Sequence, residues 1–224
     1  SDQQRDLERE IVRRRHGRGK AVLGLLDDLQ KLYQHPRLLA REDVGSSEVP
    51  VLLSESPKLR WLADRLRALA RDEHKVLIFA RFMKMQAIIL QLLQHEFPTR
   101  FGAGSDVIIN GEDRRMAVAH KVIGEFSESR GFDALILSPQ AAGTGLTITA
   151  ANHVIHYGRW WNPAREDQAT DRAHRIGQTR EVNVWIPILH HPGAPDQGFD
   201  VKLDELMRRK RTTAAGFLAP SFAD

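Results

Sequence analysis

Residues 75–82 read Lys-Val-Leu-Ile-Phe-Ala-Arg-Phe, and the apolar side chains from Val76 to Phe79 follow one another without a polar interruption. A strand with one wet face alternates apolar and polar residues. A continuous apolar run instead marks a strand covered on both faces, as in a parallel sheet sandwiched by helices. Four further short runs follow, at residues 107–109, 134–137, 154–155 and 182–186. Helix-like stretches over 83–97, 114–126 and 162–175 separate most of them. The pattern predicts an α/β layered domain with a parallel sheet flanked by helices.

Upstream of the first strand, residues 1–55 read as helical and contain no strand-like run. Leu7 and Ile11, then Val22, Leu25, Leu26, Leu29 and Leu32, recur at helical spacing. His35-Pro36 breaks the second of these helices, and residues 44–50, Val-Gly-Ser-Ser-Glu-Val-Pro, read as a loop. Ser56 and Pro57 are the cap and first position of a helix running to about Arg71 and burying Leu59, Leu62, Leu66 and Leu69. A last helix, from Phe199 to about Arg211, follows a loop at 191–198 that contains proline and glycine.

The composition of the 224 residues, 42% hydrophobic and 28% charged, is that of a soluble globular protein. No apolar run approaches the length of a membrane span, and the opening residues are polar and charged rather than a signal peptide. The absence of cysteine excludes disulfides and thiolate metal sites, and an intracellular protein is expected. A net charge of +4 permits nucleic-acid binding without requiring it. The basic runs at 13–15 and 208–211 fit DNA phosphates and solvated helix faces equally well. The ten histidines form no metal set: His190-His191 sits beside Pro192 with no third ligand nearby, and His174 is expected to pack or hydrogen-bond.

Residues 160–180 read Trp-Trp-Asn-Pro-Ala-Arg-Glu-Asp-Gln-Ala-Thr-Asp-Arg-Ala-His-Arg-Ile-Gly-Gln-Thr-Arg. Asn162 suits a helix cap and Pro163 the first turn. On a helix, the spacing i, i+4, i+7 puts Gln168, Arg172 and Arg175 on one face, and Gly177 stands where that helix would end. Two permanently charged guanidinium forks on one edge suit a polyanion such as a triphosphate. Ligands of open parallel sheets collect at the carboxyl ends of the strands. There residues 138–146, Ser-Pro-Gln-Ala-Ala-Gly-Thr-Gly-Leu, offer Gly143 and Gly145 for close backbone approach.

The string Gln-Ala-Thr-Asp-Arg-Ala-His-Arg-Ile-Gly-Gln-Thr at 168–179 resembles motif VI of the SWI/SNF-type branch of the superfamily-two helicase-like ATPases. The likeness extends along nearly the whole chain in order. Residues 29–39 resemble the helical segment before the second motor lobe, and 56–59 with 75–82 the entry into motif IV. Residues 138–146 through 161–163 resemble motifs V and Va, and 203–206 with Lys210 and Arg211 the family's closing helix. Three positions depart from the pattern: a basic residue is frequent where Gln140 stands, a glycine at Ala142 and an asparagine at Thr147. Asn110-Gly111 matches the start of motif IVa, but residues 112–115 are atypical of it.

The resemblance implies a RecA-like second motor lobe at residues 56–190, an N-terminal helical protrusion at 1–55, and a loop with a C-terminal bracing helix at 191–224. It implies ATP and magnesium, both held mainly by a first lobe of the same polypeptide, and double-stranded DNA as a further partner. Arg175 becomes the primary arginine finger. Arg172 pairs with the γ-phosphate or with an acidic residue of the first lobe, and Gln168 orients either arginine. Gly143, Thr144 and Gly145 line the ATP cleft. Ser138 and Gln140 approach DNA phosphate with Arg81 as a supplementary cation, and Trp161 lies near the DNA, whereas Trp160 fits the sheet edge equally well.

No Gly-Lys-Ser/Thr phosphate loop occurs; the stretch at 18–21, Arg-Gly-Lys-Ala, lacks both the hydroxyl and the loop length. Asp72-Glu73-His74 precedes a strand instead of ending one, so a solvated turn is expected. The chain, which begins with serine, reads as a piece of a longer protein. It is expected to be the C-terminal lobe of an ATP-dependent DNA translocase, monomeric and without ATPase activity when isolated, and to bind DNA weakly and in a salt-sensitive way. A helicase-like module that grips DNA or a protein without hydrolysis stays open. No Gly-x-Gly-x-x-Gly fingerprint follows a strand, so a dinucleotide enzyme is disfavoured.

Overall fold

A computed structural model describes residues 2–14, 19–40, 47–110, 116–141 and 145–218. Five strands form one parallel sheet: β1 Lys75–Phe79, β2 Ile108–Ile109, β3 Asp133–Leu137, β4 His153–His156 and β5 Asn183–Trp185, in the order β2-β3-β1-β4-β5. Each of the five apolar runs supplies one strand. β1 lies at the centre, pairing Val76 with Ala134 on one side and with His153 on the other. Every residue of β1, β3 and β4 is buried, as continuous apolar runs require. β5 closes one edge and leaves Val184 exposed.

The described helices are α1 Asp2–Arg14, α2 Gly19–Gln34, α3 Val49–Glu55, α4 Pro57–Arg71, α5 Met83–Glu96, α6 Met116–Glu128, α7 Pro163–Thr170 and α8 Phe199–Leu218. α4 begins as its residues dictate: the Ser56 hydroxyl accepts from the Leu59 N–H at 3.2 Å, and Pro57 fills the first turn. Its Leu59, Leu62, Leu66 and Leu69 are buried, together with Met85, Ile88, Ile89, Leu92 and Leu93 of α5. α6 adds Ala119, Val122, Ile123 and Phe126 at helical spacing. Burial of each large aliphatic side chain is worth roughly 1.5–3 kcal/mol. Leu38, Val49 and Leu52, from before residue 56, join the same apolar cluster as the sheet.

α2 ends where His35-Pro36 was expected to break it, and a short 3-10 turn, Pro36–Leu39, follows. Its carboxyl end is fastened to the chain leaving β4. The Tyr157 hydroxyl donates to the Gln34 carbonyl at 3.2 Å, and the Gln30 amide to the Arg159 carbonyl at 2.6 Å. Gly158 lies between them, where a Cβ would come within 2.5 Å of the Gln34 amide nitrogen.

Three expected boundaries shift. α3 starts at Val49, inside the stretch read as a loop, because Leu52 is drawn fully into the core. α8 extends to Leu218. The expected helix over 162–175 ends at Thr170, so Gln168, Arg172 and Arg175 do not share one helical face. Beyond Thr170 the backbone tightens, with the Arg172 N–H bonding the Ala169 carbonyl and the Ala173 N–H bonding that of Thr170. The Arg172 carbonyl accepts instead from the Ile148 N–H at 2.8 Å, which ties the turn to the segment after β3.

Candidate functional site

The end of α7 and the turn after it line a depression of ≈ 660 Å³, whose lining includes Gln168, Asp171, Arg172, His174 and Arg175 together with Gln178 and Arg180. The three side chains read from the sequence as one helical face therefore meet by another route. Gln168 is exposed on α7, whereas Arg172 and Arg175 project from the turn. Arg172 is buried, and its Nη1 donates to the Leu146 carbonyl at 3.0 Å. Burial, and then the neighbouring Arg175 charge, holds its guanidinium below the usual arginine value. Arg175 is exposed, and its Nη1 donates to the Thr147 hydroxyl at 2.9 Å and the Gly145 carbonyl at 3.3 Å. Gly145 has φ 76°, the left-handed region that glycine adopts without strain. Gly143 and Thr144, expected beside it, lie outside the described residues, as do Ala142 and residues 111–115.

Two residues that hold this arrangement were not singled out from the sequence. Thr147, at a departure from the family pattern, is the hydroxyl that anchors Arg175. The Gln178 side-chain amide reaches the carbonyls of Thr149, Ala151 and Ala173 at 2.9, 2.7 and 3.1 Å. Its oxygen accepts from the Arg180 N–H, and its own N–H closes a turn onto the Arg175 carbonyl. Gln178 stood in the quoted motif, but its partners lie up to 29 residues upstream and have no sequence signature.

The residues read as DNA-facing all lie on chain segments leaving the carboxyl ends of β1, β3 and β4. Gln140 is exposed. Ser138 is buried, and its hydroxyl accepts from the Ala141 N–H at 3.3 Å, shaping its own loop. Arg81 donates to the Gln30 side chain at 2.6 Å and lies 3.4 Å from Asp27, both on α2. Trp161 is half-buried edge-on against Phe199, while Trp160 is buried against Phe79 and His156.

The basic run of α8 is largely engaged within the molecule. Arg211 bridges Glu166 and Asp167 at 3.1 and 2.6 Å, Arg208 pairs with Asp204 at 2.8 Å, and Lys210 donates to the Trp161 carbonyl at 2.9 Å. The buried Arg159 joins Glu166 at 2.5 Å and also bonds Asp204, locking α7 to α8. The side chains of Arg13, Arg14 and Arg15 lie outside the described residues. His174 is exposed on the rim of the depression rather than packed, because the turn after Thr170 swings it outward. His191 bonds Tyr33 at 2.7 Å and Glu8 at 3.0 Å. Asp72 caps α4 and Glu73 takes φ 56° in the turn before β1. Among the described residues no three histidine or acidic side chains converge as a metal-holding group, and no helix is long and apolar enough to cross a membrane.

Comparison with known proteins gives this geometry a context. Residues 57–177 match the model of the helicase conserved C-terminal domain. Zorya protein ZorD of Escherichia coli is 38% identical over 208 residues, covering 89% of this chain and 18% of that protein. The putative ATP-dependent helicase/translocase YwqA of Bacillus subtilis is 38% identical over 185 residues, covering 82% of this chain and 18% of that one. The chain thus spans about a fifth of these relatives. The Sulfolobus solfataricus SWI2/SNF2 ATPase core in complex with double-stranded DNA superposes with a TM-score of 0.71 at 27% identity, covering 96% of this chain and 43% of that one.

Proposed function

The chain belongs to the helicase conserved C-terminal domain family and is the C-terminal, RecA-like lobe of a SWI/SNF-type helicase-like ATPase, and from that premise we propose that its parent protein hydrolyses ATP to move along double-stranded DNA, with this lobe supplying the arginine fingers. The reading is supported above all by the meeting of Gln168, Arg172 and Arg175 around one depression. Two guanidinium groups held side by side repel each other, and the repulsion is relieved when an anion comes between them. A triphosphate has the charge and the planar oxygen pairs to do this.

Phosphoryl transfer spreads negative charge over the equatorial oxygens, and a guanidinium aimed at them stabilises it. Arg175 is exposed and anchored through a single nitrogen, so it is the group that reaches across a closing cleft. Arg172, buried and fixed to the Leu146 carbonyl, orders the site and faces either the γ-phosphate or a carboxylate of the first lobe. Gln168 orients either arginine. Gly143, Thr144 and Gly145 are assigned to nucleotide binding, as the resemblance implies. Magnesium, which neutralises the phosphates when bound, is assigned to ligands on the first lobe.

The DNA path is proposed to run over Gln140, Arg81 and Trp161. The Arg81–Asp27 pair is exposed enough to be worth little, so exchange for a phosphate costs little. Ser138 contributes through the loop it shapes. The partition into a protrusion at 1–55, a motor lobe at 56–190 and a brace at 191–224 belongs to the same proposal, as do an intracellular setting and a monomeric isolated lobe. Opening and closing of two lobes would couple hydrolysis to stepping. The test is Arg175→Ala in the full-length parent: DNA-stimulated ATP hydrolysis should fall about 10³-fold or more, whereas an unchanged rate would remove the finger assignment.

A further inference from the structure

Between Arg175 and Gly177, Ile176 is 100% exposed, although most of the other large aliphatic side chains of the sheet and its helices are buried. The turn that presents it is not a loose loop. Gly177 adopts φ 100°, the Gln178 N–H bonds the Arg175 carbonyl at 2.9 Å, and the Gln178 amide fastens the turn to three carbonyls of two segments. Arg175 itself is tied to Thr147 and Gly145. Folding thus holds an apolar side chain in water at a defined place beside the guanidinium assigned to the ATP, at the edge of the same depression.

An isolated exposed aliphatic residue is ordinary on a protein surface. A fully exposed one on a turn braced by six hydrogen bonds, adjacent to the reactive arginine, is arranged for contact. We infer that Ile176 is a docking peg: on closure it buries against an apolar patch of the first lobe and thereby sets where Arg175 meets the phosphate. The inference rests on the proposed function. Three occupants compete for this peg. A second copy is disfavoured, since two-fold pairing at this rim would bring Arg172, Arg175 and Arg180 against their own counterparts. A DNA backbone offers anionic oxygens rather than an apolar seat. The rest of the motor remains, for this chain covers 43% of the SWI2/SNF2 core it superposes on.

Burying one isoleucine is worth roughly 1.5–3 kcal/mol, or about ten- to a hundredfold in a closing equilibrium. Ile176 is therefore a positioning residue, and the experiment compares Ile176→Ser, Ile176→Val and Arg175→Ala in the full-length parent. Ile176→Ser should lower kcat of DNA-stimulated hydrolysis about tenfold or more, with the DNA concentration for half-stimulation unchanged and with most activity restored in Ile176→Val. In the isolated 224-residue lobe its Tm should match the wild type, because the side chain touches nothing there. A wild-type kcat for Ile176→Ser beside an inactive Arg175→Ala would overturn the peg and leave the finger standing. A wild-type rate for Arg175→Ala would remove the finger assignment, and the peg with it. A raised DNA requirement at unchanged kcat would assign Ile176 to DNA, and a lowered Tm would assign it to the lobe's own stability; either result ends the proposal.

Discussion

His153 opens β4 at 6% exposure, with its Nδ1 accepting the Trp185 indole N–H at 3.1 Å and its ring 4.6 Å from that of His74. An acceptor nitrogen must be unprotonated, and burial, then His74, Arg65 and Arg180, all oppose charge on the ring, outweighing Asp72. Together they lower its pKa to about 4. His156, stacked on Phe79 and buried, is lowered to about 3, first by burial and then by Arg159 and Arg211. In the unfolded chain both return to near 6.5. The unfolded state therefore takes up protons first, and stability drains away as pH falls from about 6.5 to about 4 for His153 and on to about 3 for His156. At 1.36 kcal/mol per unit, the His153 contribution is on the order of 3 kcal/mol. Urea unfolding of His153→Phe should show a shallower loss between pH 6.5 and 4 than the wild type; an equal slope would contradict the assignment. None of this was visible in sequence, where His153 is one histidine among ten and its partners come from three other segments. Arg172 and Arg175 were visible because permanent charge and close spacing are local properties. Thr147 and Gln178 were not, since each acts on a residue brought to it only by folding.

At the scale of elements, the sequence named helix starts better than helix ends. Ser56-Pro57 and Asn162-Pro163 cap α4 and α7 as read, since a cap is satisfied by side chains within three residues. The end of α7 was misplaced because the decisive bond, Ile148 N–H to the Arg172 carbonyl, is long-range. The same holds for the brace. Residues 208–211 looked like a basic surface, but Arg208 and Arg211 meet carboxylates of α7 and α8 around the buried Arg159. Burial raises the Glu166 pKa, while the Trp160 N–H, Arg159 and Arg211 draw it back down. Arg159→Met should therefore leave Glu166 and Asp204 short of a buried cation and cost about 3–5 kcal/mol at neutral pH. The deficit should shrink between neutral and mildly acidic pH, because burial favours the protonated form of Glu166. Chemical denaturation at the two pH values measures both, and a cost independent of pH would locate the damage in packing rather than in charge.

For the molecule as a whole, the order of apolar runs specified a parallel sheet, and the motifs specified its family. The proposed division of labour between lobes rests on what the chain carries: two arginines and a glutamine around one depression, but no Gly-Lys-Ser/Thr loop in the sequence and no converging acidic group among the described residues. Electrophilic charge without a magnesium site or a phosphate cradle leaves the γ-phosphate unpositioned, and positioning is most of phosphoryl-transfer catalysis. The isolated 224-residue chain should therefore hydrolyse ATP no faster than buffer, with or without duplex DNA. Its affinity for DNA should also be modest. Net charge is only +4, and the α8 arginines Arg208 and Arg211 are committed to carboxylates rather than held ready for phosphates. Each phosphate neutralised adds about −0.9 to the slope of log affinity against log salt. Fluorescence anisotropy on a labelled duplex should give a slope no steeper than about −3 by that rule. A slope near −8, or turnover of ATP by this chain alone, would mean that a complete DNA track or a complete catalytic site resides in this lobe.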